Sequence, residues 1–370
     1  VEESDLLLFP EANTMYLLPW RPQHGRVVRF FCNIKHPDGR DFEGDCRNIL
    51  KEVIKDSKQK GFTCKIGCES EFYLFEQDEF GNPTMIPYDK GTYCDIYPND
   101  RCENIRRDIC LSLEEMGIKP TSSHHEQGPG QNEIDYEYSN ALSAADNLIS
   151  FRSLVKTKAS ENGLFASFMP RPLETECGSG LHINISLYKD NKNIFEDKND
   201  KQYKYAESFI SGILNRIEEI TLFLNSSTNS YKRLGKDKAP KYITWSKENR
   251  SQLIRIPASK GDRCRMELRS PDSSCNPYIA FALLIKAGIE GIEKNLQLCN
   301  PHNINLFNEK RYFFDALELA RKLYKNKLYN FKLDTVAEEM ELYRTNAHRS
   351  TEDAFVTGII FRDLGNYLIQ

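Results

Sequence analysis

Carboxylates recur in this chain at two-residue spacing on strand-like runs, and side chains so spaced share one face of a sheet. In FTCKIGCESEFYLF, Glu69 and Glu71 fall on one face, with Ser70, Phe72 and Leu74 on the other. In QNEIDYEY, Glu133, Asp135 and Glu137 alternate with Ile134, Tyr136 and Tyr138. In CRMELRS, Arg265, Glu267 and Arg269 alternate with Met266 and Leu268. A fourth row, His182, Asn184, Ser186 and Tyr188, lies behind Gly178-Ser179-Gly180, and Glu126 directly follows His124-His125. Each row alone reads as a solvated sheet face. Converging carboxylates repel and shift each other's pKa unless cations intervene. Hard divalent ions with oxygen ligands, Mg²⁺ or Mn²⁺, answer that repulsion, and arginines beside them suit an anionic substrate. These residues support a two-metal site in a curved sheet handling phosphoryl chemistry, without naming the reaction.

The elements that must hold these rows are readable in order. CRNILKEVIKDSKQKG predicts a helix capped by Asp45 and stopped by Gly61. Further helices are expected over Asn99–Met116, Leu142–Glu161 and Tyr203–Leu224, and from Asn276 with Pro277 in its first turn. STNSYKRLGKDKAPKYITW reads as a basic, irregular loop, RSQLIRI and CRMELRS as strands, and the chain from about Lys310 as polar surface helix. Residues 1–45 read as short strands and turns belonging to something larger.

Composition excludes several classes. With 370 residues, 50 Lys+Arg and 54 Asp+Glu, the formal net charge of −4 gives no basic field for nucleic acid. No apolar run approaches the roughly 20 residues that span a bilayer, so no membrane partner is expected. The start lacks the basic and apolar segments of a secretory signal. Eleven scattered cysteines fit reduced thiols in a cytoplasmic protein, with no paired CxxC to suggest zinc. There is no P-loop, GxSxG elbow or dinucleotide fingerprint, so any ATP is held another way.

Seven ordered segments carry a resemblance: ESEF at 69–72, HHEQGPGQNEID at 124–135, FMPRP at 168–172, GSGLH at 178–182, NSYKRL at 229–234, NRSQLIRIP at 249–257 and RMELRSPDSSCNPYIAFALLIKAGIEGI at 265–292. The chain resembles the type I glutamine synthetases. The resemblance implies an α+β fold in which a curved antiparallel sheet is wrapped by helices over residues 46–370, preceded at 1–45 by the C-terminal part of a small β-rich N-terminal domain. It implies ATP as co-substrate, two or more Mg²⁺ or Mn²⁺ per site, and glutamine made from glutamate and ammonia through a γ-glutamyl phosphate. It also implies a homo-oligomer, a dodecamer of two hexameric rings whose sites are completed by neighbours. Glu71, Glu126 and Glu133 match ligands of one ion; Glu69, His182 and Glu267 match ligands of the other. Gly178, Arg233, Arg250 and Arg269 match glutamate-binding positions. Arg255 and Arg265, with Arg250, match contacts to ATP phosphates and the phosphorylated intermediate, with Ser186 near the nucleotide.

The chain also departs from the family. Cys177 stands where the family has Asn, and Asn184 where it usually has a second His. The flap RLGKDKAP is one residue shorter, with Lys238 at the position of the flap Glu and Asp237 the carboxylate that could serve as catalytic group in its place. The family's ammonium-binding Asp has no counterpart from Val1 onward, and the segment bearing an adenylylated Tyr is missing between Leu306 and Phe313. These departures leave two alternatives: a γ-glutamyl ligase acting on an organic amine, and an inactive ring-forming homologue.

Overall fold

A computed structural model describes residues 5–21, 24–196 and 201–307. Near the N-terminus, β1 (Leu7–Pro10) and β4 (Cys32–Lys35) form one antiparallel pair, and β2 (Tyr16–Leu17) and β3 (Val28–Arg29) another. Helix α1 (Cys46–Gln59) starts where the Asp45 carboxylate accepts from Arg47 N at 2.9 Å and ends at Gly61, whose φ of +85° closes the turn. From there the chain builds β5 (Phe62–Gln77), β6 (Pro83–Pro87), α2 (Glu103–Glu115), β7 (Pro120–His125), β8 (Gln131–Tyr136), β9 (Ser139–Asn140) and α3 (Ala141–Glu161). Strands β10 (Leu164–Ser167), β11 (Leu181–Lys189) and β12 (Lys192–Asn193) precede the helix α4 (Tyr203–Leu224). A short helix α5 (Ser230–Arg233) leads to β13 (Trp245–Lys247), β14 (Ile254–Ile256), β15 (Met266–Leu268) and α6 (Pro277–Glu293), which Asn276 caps.

The main sheet runs β13-β14-β15-β11-β5-β8-β7, with β6, β9 and β10 on β5 and β12 on β11. Its pairings are antiparallel except β13–β14, so the expected antiparallel sheet is mixed at that edge. One face packs on the helices: Ile66, Cys68, Phe72 and Leu74 of β5, Leu181, Ile183, Ile185 and Leu187 of β11, and Met266 and Leu268 of β15 are buried with residues of α1, α3, α4 and α6. Burying that face fixes register, because a one-residue slip would turn the carboxylates into the core.

Several expectations shift. The helix expected from Asn99 starts at Glu103, after an Asp100-centred turn, and the two expected strands shorten to three residues each. The basic loop contains one helical turn, α5. The helix expected from Lys310 and the comparison ending at Phe313 lie outside the described residues. Among the described residues, no helix is long and apolar enough to cross a membrane.

Candidate active site

The free face of the sheet carries the charged rows in register. On one transverse line His124 of β7 faces Glu133 of β8, which faces Glu71 of β5. On the next, Asp135 faces Glu69, which faces His182 of β11. Farther along, Glu267 of β15 faces both Asn184 and Arg255. Acidic residues placed opposite each other cost stability, so this arrangement has another cause than folding. Above the rows lies a cavity of about 360 Å³ lined by Glu69, Glu71, Glu126, Glu133, Asp135, His182 and Glu267. Arg233, Arg250, Arg255, Arg265 and Arg269 also line it, as do Gly178 and the loop residues Lys236, Asp237 and Lys238.

Two donor clusters form within it: Glu69, His182 and Glu267, and His124, Glu126 and Glu133, each with ligand atoms within 4.8 Å of one another. They differ electrically. Burial works to raise the Glu69 carboxyl, but hydrogen bonds from His182 at 3.0 Å and Asn184 at 2.9 Å, with Arg265 nearby, hold it down at about 2. Both Glu267 oxygens are paired, one with Arg269 at 2.5 Å and one with Arg255 at 2.7 Å. In the other cluster, burial and the charges of Asp135, Glu71, Glu69 and Glu126 push the Glu133 carboxyl well up. Burial and the charges of Glu69, Glu71 and Glu126 push Asp135 up to about 8, and its Oδ1 is buried with no hydrogen-bond partner. Burial works to raise Glu126 too, but the His124 hydrogen bond and the Lys238 charge hold it below its ordinary range. The donor set, carboxylate oxygens and imidazole around an unpartnered buried oxygen, therefore fits hard divalent ions.

The glutamine synthetase catalytic-domain family model matches residues 43–340. The chain belongs to the glutamine synthetase family. It is 44% identical to a glutamine synthetase of Clostridium saccharobutylicum over 94% of this chain and 84% of that one. It is 47% identical to a glutamine synthetase of Methanosarcina mazei over 83% of this chain and 70% of that one. Its fold is similar to a Plasmodium falciparum glutamine synthetase (TM-score 0.77, 25% identity, 99% of this chain and 84% of that one) and to an ADP complex of GmaS (TM-score 0.78, 27% identity, 100% and 84%).

For a glutamine synthetase, most residues singled out in the sequence meet at the cavity, though not always with free side chains. Glu71 lies beside rather than within the His124 cluster; its Oε2 accepts from Gly180 N at 2.8 Å and Gln131 Nε2 at 3.2 Å. Asn184 uses both ends of its amide, accepting from Arg265 Nε at 2.7 Å while donating to Glu69, a bridge that imidazolium, a donor only, could not make. Arg233, expected to hold substrate, is 4% exposed and donates to the carbonyls of Ser270, Pro271 and Arg269, so it also builds the wall. Gly178 must be glycine: a Cβ there would sit 2.6 Å from Pro170 O and 2.8 Å from Arg233 Cγ. Ser186 is not among the residues lining the cavity; it is buried, and its hydroxyl donates to Cys264 O at 3.0 Å. Glu137 leaves its row beyond the end of β8 and pairs with Lys119 at 2.6 Å. His124, Asp135, Gln131 and Tyr93 line the cavity without having been assigned roles. Alternation gave a signal for His124 and Asp135, whereas Tyr93 lies on an irregular loop.

Proposed function

We propose that the cavity performs ATP-dependent ligation of glutamate and ammonia, with divalent ions held by the two clusters. Carried by their place in this cavity, Glu69, His182 and Glu267 would hold one ion. Glu126 and Glu133, with Glu71 beside them, would hold the other. When bound, Mg²⁺ or Mn²⁺ would neutralise the carboxylates and the phosphate charge. Arg250, Arg255 and Arg265 present planar donors to the transferring phosphoryl group as charge spreads over its oxygens. Arg269, fixed by Glu267, and the Gly178 loop, packed against Arg233, orient glutamate so that its γ-carboxylate attacks the terminal phosphate of ATP as the bond to ADP breaks. Ammonia then adds to the acyl carbon of γ-glutamyl phosphate, the acyl–oxygen bond breaks, and phosphate leaves carrying the proton that the nitrogen gives up. Burial of Glu133, Glu267 and Arg269 preorganises these charges and keeps competing water from them. The observation that carries the reading is one cavity with an acidic floor and an arginine wall.

Residues 1–45 serve in this reading as part of a small β domain beside a 46–370 catalytic domain, and the working form is a homo-oligomer, a dodecamer of two rings. The cytoplasm, with its ATP and reduced thiols, suits the chemistry. The test is phosphate release from Mg-ATP and glutamate, with and without ammonia and across a panel of organic amines. Ammonia-dependent release is expected; release that only an organic amine supports would overturn the choice of ammonia.

A further inference from the structure

The 234–240 loop, which contributes Lys236, Asp237, Lys238 and Ala239 to the cavity wall, is folded on itself. Gly235 N donates to Pro240 O at 3.3 Å and Ala239 N to Lys236 O at 2.9 Å, and Asp237 sits at the tip with φ +49°. An Asp tolerates that conformation better than most residues. Its carboxylate is engaged by Arg171, whose Nη1 lies 2.7 Å from Asp237 Oδ2. Arg171 is held in place. Its side chain is only 9% exposed, its Nε donates to Glu174 O, and its backbone N donates to Asn229 Oδ1 at 2.6 Å. Asn229 returns a bond to Arg171 O at 3.0 Å and stands at the start of α5, the root of the same loop. The segment bearing Arg171 runs on to Cys177 and Gly178, which also line the cavity. Next to Asp237, Lys238 reaches the opposite way and sets its Nζ 4.8 Å from the centre of the Tyr93 ring.

We infer that the Arg171–Asp237 ion pair is a latch joining the 234–240 loop to the Gly178 wall, so that Asp237 is a positioning residue and not the proton acceptor for the incoming amine. A carboxylate whose oxygen is engaged by a buried, anchored guanidinium is held in that direction and is not free to swing to an incoming amine. Latch and root together tie two walls that meet at the glutamate-binding end of the cavity. Lys238 on Tyr93 adds a weaker tie on the other side. The inference rests on the ligase reading for its consequence, but the contact itself does not depend on it.

The experiment uses the full-length, assembled protein and five variants: Arg171→Gln, Asp237→Asn, these two combined, Arg171→Lys and the exchange Arg171→Asp with Asp237→Arg. The latch predicts that the first two each raise KM for glutamate roughly two- to fivefold, the range that a partly exposed ion pair supports. It predicts kcat within about twofold, no added loss when the two are combined, and an unaltered pH profile. Arg171→Lys and the exchange should recover most of the KM. Trypsin should cut after Lys236 and Lys238 faster in Arg171→Gln than in the parent, a readout that needs no activity. The inference is overturned if Asp237→Asn loses kcat about 100-fold or more and one limb of its pH profile while Arg171→Gln behaves as parent. Equal cleavage of parent and Arg171→Gln overturns it too, whether or not the parent makes glutamine.

Discussion

Among the described residues, three groups of acidic residues and histidine have the spacing of a metal site, yet the third is a different kind of object. Asp89, Asp100 and His125 are fully buried beside the cavity floor. Asp89 accepts from Gly130 N at 2.8 Å, His125 Nε2 at 2.9 Å, Gly91 N, Arg101 N and Cys102 Sγ. Asp100 takes both ends of the Arg106 fork, at 2.6 and 3.1 Å. Burial works to lower the His125 pKa, but both ring nitrogens face acceptors, Asp89 and Glu126 O, and these raise it. Two carboxylates are thus matched by one imidazolium and one guanidinium, and each oxygen has a donor. Around Glu133 and Asp135, three further carboxylates, Glu69, Glu71 and Glu126, add their charge, and a buried Asp135 oxygen has no donor. Proximity of ligand atoms does not by itself mark a metal site; unmet charge is what sets the Glu133 side of the cavity apart from the buried network. The saturated network supports the needy one, because His125 holds the carbonyl of Glu126.

The largest effect that would break this contrast is on activity. Glu133→Gln should lower divalent-ion affinity and ligase activity by more than about 100-fold, beyond what loss of a supporting residue costs. It should leave metal-free stability unchanged or improved, because it relieves repulsion. Titration with Mn²⁺ and thermal unfolding in chelator check both halves, and a destabilised metal-free variant would place Glu133 with the structural network. The converse change is Asp100→Asn. It should cost about 3 kcal/mol of stability by leaving Arg106 buried without its carboxylate, while metal affinity moves little. Denaturant unfolding against the same titration decides, and a large loss of metal affinity without loss of stability would reverse the assignment.

The cavity side of this contrast was legible beforehand; the buried network was not, and the rest fails for identifiable reasons. Glu69, Glu71, Glu133, His182 and Glu267 could be placed on one face because a strand alternates strictly and its other face is apolar. Alternation says nothing about how far a face stays over the site. Ser186 shares the His182 face yet ends under the Cys264 carbonyl, and Glu137 shares the Glu133 spacing but lies past the strand. Nor does residue type reveal whether a cation serves substrate or structure, which is why Arg233 turns out also to hold three carbonyls. Arg171–Asp237 and Tyr93–Lys238 join segments far apart in sequence through irregular loops, where no periodicity exists to read.

The smallest effect separates the two clusters by pH. In protein stripped of metal, Asp135 at about 8 keeps a proton that the unfolded chain has released between roughly pH 4 and 8, and the raised Glu133 acts in the same direction. The folded state there binds more protons than the unfolded one, so stability falls as pH rises through that window. Asp89 behaves oppositely. Burial works to raise it, but hydrogen bonds from His125, Cys102 and Gly130 N and the His125 charge hold it below the ordinary range. Its contribution is present above the unfolded pKa near 4 and is lost as pH falls below it. Melting temperature in chelator should therefore decline from pH 6 to 8 by a few degrees, about what 1 to 2 kcal/mol produces in a chain of this size. Mg²⁺ or Mn²⁺ should flatten that decline by taking the place of the protons, and Asp135→Asn should flatten it without metal. Asp89→Asn should leave the alkaline slope intact, lower stability above about pH 4 and flatten the loss on the acid side. If Asp135→Asn keeps the full decline, the excess protons reside elsewhere, and the cavity's carboxylates are as well matched as those of the buried network.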